Sequence, residues 1–124
     1  MSITRVVSSL VLILLMSGCQ SAPTPRYTAA QLEQMESVTF VRPYELSRTD
    51  VSFAPLGEVR GESCQTSMMQ ASATEEAALL ALKLAAVERG ANALVLRQCQ
   101  MLTTDACQSA WVCTGDAHQM QPLQ

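Results

Sequence analysis

The chain is poor in the residue types that do chemistry or bind polyanions. It has a single histidine, one tryptophan, two tyrosines, two phenylalanines and only eight lysines and arginines in 124 residues. No basic run occurs, and no arginines interleave with aromatics, which excludes nucleic acid as a partner. No acid, base and nucleophile cluster together. His118 lies near a polar end and is expected to be a solvated surface residue. No Cys-x-x-Cys is present, so a thiol–disulfide oxidoreductase is excluded. The last three cysteines are separated by 7 and 5 residues, whereas a four-thiolate zinc site usually contains a closely spaced pair. The seven methionines form no Met-x-x-Met array for copper, and Met68-Met69 are expected to fill packing gaps. These absences predict a protein that is not an enzyme and holds no metal or cofactor.

What is present begins at the N-terminus. Met1 to Arg5 carries one positive charge, and Val6 to Met16 is apolar apart from Ser8 and Ser9. Ser17-Gly18 then leads into Cys19. That order is that of an export signal, and the apolar run is about half of the ~20 residues that span a bilayer. Leu15-Met16-Ser17-Gly18-Cys19 resembles the bacterial lipobox, with Met16 where Leu is usual. Cys19 is therefore the expected lipidation site, and the covalent lipid there the only attached group. An unlipidated secreted chain would instead keep an odd thiol in an oxidising compartment. Gln20 after the cysteine resembles the sorting signal for the outer membrane. Removing residues 1–18 leaves seven basic against eleven acidic residues.

Residues 19–37 read as the lipidated cysteine and a flexible tether. Ser21, Ala22, Pro23, Thr24 and Pro25 are small or helix-breaking, and fully extended the tether reaches at most ~60 Å. Thr28 to Met35 has the makings of a short helix without a buried face. Val38-Thr39-Phe40-Val41 is β-branched and aromatic and ends at Pro43, as a first strand does. A turn over Glu45 to Asp50 precedes a second strand at Leu56 to Val59, with Pro55 marking an edge. Gly61-Glu62-Ser63 is expected to turn the chain into Cys64, and Met68 to Ala71 to form a loop. Ser72 and Glu75 have capping-box spacing, Glu75 and Glu76 sit where a helix dipole favours acid, and Gly90 provides the stop. The main helix is thus placed at about 73–89, with Ala77, Leu80, Leu84 and Val87 as its core stripe. Leu79 and Leu82 are read as flanking core or as a patch for a partner. Short strands follow at Ala93 to Leu96 and within Cys107 to Asp116, with Trp111 as core. Glu58 and Glu62 read as solvent-facing strand charges. The fold class is α+β: one main helix packed on a small, mostly antiparallel sheet and stapled by two disulfides. The domain spans 38–118, and 119–124 is a polar tail.

Setting Cys19 aside, Cys64, Cys99, Cys107 and Cys113 form an even set, as two disulfides require. Three pairings are possible. If 93–98 and 110–116 are antiparallel neighbours, Cys99 and Cys113 come within bridging reach and Cys64 is left for Cys107. Pairing Cys107 with Cys113 would fold a strand back on itself.

These residues carry a resemblance. Leu56-Gly57-Glu58-Val59-Arg60-Gly61-Glu62-Ser63-Cys64-Gln65 is similar to the Leu-Gly-Glu-Val-x-Gly-acidic-Ser-Cys-Gln segment of the RcsF family, the outer-membrane sensor lipoproteins of the Rcs phosphorelay. Ala91-Asn92-Ala93-Leu94-Val95-Leu96, then Cys99, Cys107 and Val112-Cys113-Thr114-Gly115, follow in the family's order. The resemblance implies the bridges Cys64–Cys107 and Cys99–Cys113. It also implies a non-enzymatic sensor of outer-membrane or peptidoglycan damage that is anchored in the outer membrane, with its domain in the periplasm and part of the tether able to reach the surface. The implied partners are outer-membrane barrel proteins, their assembly machinery and an inner-membrane repressor of the phosphorelay. Two features differ from the family: a short tether with Arg26 as its only basic residue, and a helix carrying Glu75, Glu76 and Glu88 against Lys83 and Arg89. The alternative from another class is a structural or assembly-assisting lipoprotein that does not signal.

Overall fold

A computed structural model describes residues 27–123; the expected export signal, the expected lipidation site Cys19 and the first part of the expected tether lie outside them. The elements in chain order are α1 (Ala29–Glu36), β1 (Thr39–Phe40), a 3-10 turn (Pro43–Ser47), β2 (Val51–Gln65), α2 (Glu75–Glu88), β3 (Ala93–Leu102) and β4 (Ser109–Pro122). The strands form one sheet in the order β1-β3-β4-β2. Only β1 and β3 are parallel, and β4 runs antiparallel to both β3 and β2. This is the expected α+β class, a helix on a mostly antiparallel sheet. No helix among the described residues is long and apolar enough to cross a membrane.

The ends of α2 follow from local chemistry, with one correction. Thr74, not Ser72, is the N-cap, and its hydroxyl accepts from the Ala77 N–H at 3.1 Å. Residues just before the helix are held extended from outside: Ala73 N–H donates to Ser109 Oγ at 3.0 Å and Thr74 N–H to Ser63 Oγ at 3.2 Å. A helix turn at Ser72 would break both bonds. Gly90, with φ of 81°, ends the helix as expected.

The buried stripe of α2 also differs from the expected one. Ala78, Leu82 and Ala86 are buried completely, while Ala77, Leu80, Leu84 and Val87 are only half-buried. The helix is apolar on nearly every side, so periodicity alone favoured the larger side chains. The sheet instead receives small residues, because β2 comes very close. An ideal Cβ at Gly61 would lie 2.6 Å from Leu82 Cα and nearer still to Leu82 N and Ala78 O. Gly61 is thus a contact glycine inside a strand rather than a turn, and Gly61-Glu62-Ser63 continue β2 straight into Cys64.

The strands are longer than expected because cross-strand pairing carries them through residues of low β-propensity. β2 runs over Val51–Gln65 and absorbs Pro55 by a register shift between Pro55 and Gly57. Gly57 takes φ of 107° there, a conformation open to glycine at little cost.

Two stretches expected to be appendages are structured. Residues 119–122 complete β4. Within the expected tether, α1 is closed by a reciprocal cap: Gln31 N–H donates to Thr28 Oγ1 at 3.1 Å, and Thr28 N–H to Gln31 Oε1 at 2.9 Å. α1 packs against α2, and its Met35 is 1% exposed.

Candidate functional site

Cross-strand register sorts the side chains of the sheet onto two faces. The face under α2 carries the main core, in which Val59, Leu94, Cys113 and Ala117 meet Ala78, Leu82 and Ala86. Trp111 and Cys99 pack at its margin, as expected of the tryptophan. Among the described residues the other face has no helix, and its content changes along its length.

At one end of the open face lies a second, smaller cluster of Val41, Ala93 and Val95 with Phe53 and Met120. His118 belongs beside it, which corrects the expectation of a solvated residue. It is 9% exposed, its ring meets Phe53 edge-on at 6.1 Å between centroids, and its Nδ1 has no partner among the described residues. The cause is that β4 does not fray. Asn92 pins it by donating from Nδ2 to Met120 O at 2.9 Å and accepting at Oδ1 from Met120 N–H at 2.7 Å.

The middle of the open face is a charged ladder. Arg97, the extra residue of a bulge in β3, donates to Asp116 at 2.9 Å and lies 3.7 Å from Glu58. Arg60 lies 3.7 Å from Glu62. The hydrogen bond that Arg97 donates to Asp116, reinforced by the charges of Asp116 and Glu58, raises the Arg97 pKa above its already high ordinary value. Glu58 and Glu62 are exposed, as the sequence suggests. Every charge in this ladder is partly solvated, so it contributes little to stability.

At the far end stands Cys64–Cys107, with Cα atoms 5.5 Å apart and 43 positions of sequence between them. The second bridge, Cys99–Cys113, joins directly paired residues of β3 and β4 with Cα atoms 4.1 Å apart. Both bridges are those that the resemblance implies. Glu62 Oε1 is near Cys107 Sγ, at 4.0 Å, and the trio Glu62, Cys64 and Cys107 brings three donor atoms together. With the sulfurs bonded to each other no thiolate is present, and one carboxylate does not make a metal site.

Past this bridge, Met68 and Met69 are 81% and 96% exposed, so they fill no gap. Their loop is instead tied down by polar side chains. Gln65 Nε2 donates to Gln70 O at 3.0 Å, and Gln65 Oε1 accepts from Ser109 Oγ at 3.0 Å.

An open groove of about 640 Å³ runs between β2 and the end of α2, lined by Glu58, Val59, Arg60, Ala85, Glu88 and Arg89. Its charges balance, and Arg89 is committed to Leu56 O at 3.2 Å. The groove has neither the apolar lining nor the converging polar groups of a ligand pocket.

What the geometry offers is therefore a sheet and helix locked together by two disulfides. The description RcsF lipoprotein belongs to a family model that matches residues 18–121 of this chain. That match takes in the four paired cysteines and also Cys19. No curated protein matches the chain significantly.

Proposed function

Since the chain belongs to the RcsF lipoprotein family, a family of the Rcs envelope-stress pathway, we propose that it is the pathway's sensor, detecting outer-membrane or peptidoglycan damage and activating the phosphorelay by protein–protein contact. The observation that carries this reading is the family match over residues 18–121, which embraces anchor, tether and domain together. In this reading, residues 1–18 direct export and Cys19 takes the lipid. Several acyl chains hold firmly, since each buried CH₂ contributes ~0.8 kcal/mol. The domain then stands in the periplasm beside the outer membrane.

The mechanism is one of availability. Barrel proteins and their assembly machinery hold the domain while the envelope is intact. Damage leaves it free to meet the inner-membrane repressor of the phosphorelay. The fold supports this division of labour: a locked body presents the same surface to either partner, so the signal lies in which partner is reached.

The test is a phosphorelay reporter in cells lacking their own sensor, supplied with this protein and then exposed to outer-membrane damage. Stress-dependent restoration is the expected result, and the Cys19→Ala form should report constitutively or not at all. A silent reporter with the oxidised protein present would overturn the sensor reading. The exposed acids of α2, Glu75, Glu76 and Glu88, favour one alternative in that case: a structural or assembly-assisting lipoprotein with a different partner.

A further inference from the structure

The sheet has two outer edges, and they are treated differently. β2 forms one edge over its whole length. It is blunted by Pro55, which has no N–H to offer, by the bulge at Gly57, and by the charges of Glu58, Arg60 and Glu62. These are the devices by which natural sheets refuse an added strand.

β3 is less protected: it has one bulge, whose single charge, Arg97, is turned onto Asp116. β1 covers it only at Ala93 and Leu94. The last bond between them is Val41 N–H to Leu94 O at 2.9 Å, after which Pro43 turns the chain away. From Leu96 to Leu102 the outward backbone groups of β3 have no backbone partner among the described residues. Gln98 to Leu102 contains no charge, no proline and no glycine. The bulge between Leu96 and Gln98 perturbs one end of this edge and leaves the rest straight.

A second, separate observation lies beside it. Phe40, Leu96 and Met101 are 40%, 39% and 69% exposed, and their register places all three on the helix side of the sheet along this edge. Phe40 pairs with Leu94, Leu96 with Gly115 and Met101 with Trp111. A strand laid along β3 would pair the open backbone groups and set alternate side chains on this apolar strip.

We propose that the outer edge of β3, from Leu96 to Leu102, receives an extended segment of another protein as a fifth strand, apolar on the side facing Phe40, Leu96 and Met101 and uncharged or basic on the other. This deepens the contact-based reading above by naming the surface, and it rests on that reading only for the partner's role. The occupant's charge follows from this chain as a whole, whose described residues hold eleven acidic and six basic side chains. At the edge itself Arg97 is neutralised by Asp116 at 2.9 Å, and Lys83 lies over the Phe40 ring at 5.2 Å on the helix side, where the occupant is apolar. The acidic excess also disfavours a second copy. Two-fold pairing of β3 with itself would further be in phase only over Gln98 to Leu102, because the bulge shifts the side-chain alternation before it.

The experiment uses the full lipidated protein in detergent micelles. The probe is a capped ten-residue peptide of alternating Val and Thr with a Lys at each end, and amide hydrogen exchange is read residue by residue. The expected result is at least tenfold slower exchange at amides within Leu96 to Leu102, with those of β2 unchanged. The same peptide N-methylated at alternate residues should not bind. A Leu96→Lys, Met101→Lys protein should bind at least tenfold more weakly with unaltered melting. Equal binding of the N-methylated peptide, protection at β2, or no protection at β3 would overturn the proposal. So would protection at β3 that rises with protein concentration in the absence of peptide, since a second copy would then be the occupant. The assay contains no phosphorelay, so its failure leaves the sensor reading standing, and a silent reporter leaves this one standing.

Discussion

The two faces of the sheet are held by different means. The helix side relies on packing: Leu82 and Cys113 are fully enclosed, and Gly61 lets strand and helix backbones meet. The open side has a small apolar cluster, a solvated charge ladder and, at its end, a disulfide spanning 43 positions. The Cys99–Cys113 bridge spans 14 and lies under the helix. In so small a domain one face can be packed well, and a covalent link offsets the thin cover on the other. A bridge adds most where the chain it closes is longest, whereas packing adds most where the backbone can approach.

That contrast can be broken by substitution. Replacing both Cys64 and Cys107 with Ala should cost most, about 4 kcal/mol in the chain-entropy treatment of a loop this long, against about 3 kcal/mol for Cys99 with Cys113. Chemical denaturation of the two variants gives the order, and a reversed order would mean that packing around Cys113 outweighs loop length. Leu82→Ala should lower stability by about 3 kcal/mol through the cavity left in the helix-side core. On the open face, the half-exposed Phe53→Ala should cost clearly less in the same titration. Gly61→Ala should cost about 2 kcal/mol by overpacking, seen as a lower melting temperature with unchanged far-ultraviolet dichroism. Arg97→Ala should leave the melting temperature where it was, because its partners are solvated. Were it to fall as far as for Leu82→Ala, the view of the open face as weakly held would fail.

A last, smaller effect is one of pH. The hydrogen bond from Arg48, at 2.6 Å, holds Asp50 below its ordinary carboxylate pKa. A depressed carboxylate stabilises the fold above its unfolded pKa, and that contribution is lost as pH falls through the folded pKa. Arg48→Ala should therefore lower the neutral part of a melting-temperature profile slightly and leave its acid end unchanged, so that the limb between them flattens.

The class of the fold, the existence of the main helix and the four-cysteine frame were legible because each rests on strong local signals: acid at the helix start, Gly90 at its end, an even cysteine set. The errors share a cause, which is that tertiary contact reassigns residues with two uses. Gly61 has the composition of a turn and the role of a contact. Leu82 lies off the expected stripe because a helix apolar on nearly every side does not say which side is covered. Ser72 has the right spacing for a cap, but hydrogen bonds donated by Thr74 and Ala73 to strand serines 11 and 36 positions away fix the start at Thr74. His118 read as frayed because nothing near it in the chain announces that Asn92, 28 positions from Met120, locks the strand end. Of the candidate surface, the unprotected edge of β3 depends on how short β1 is, and no local pattern around Leu96 records where β1 stops.

The helix at Ala29–Glu36 bears on how far a lipid-anchored form of the protein could reach. With α1 docked on α2, a lipid on Cys19, as proposed above, would leave only Gln20 to Thr28 as its link to the domain, nine residues that reach at most ~30 Å. An anchored domain on so short a leash sweeps a thin layer beneath its own membrane. Under the function proposed above, an inner-membrane partner would do the travelling, and its geometry, more than that of this protein, would decide whether a given width of periplasm can be crossed.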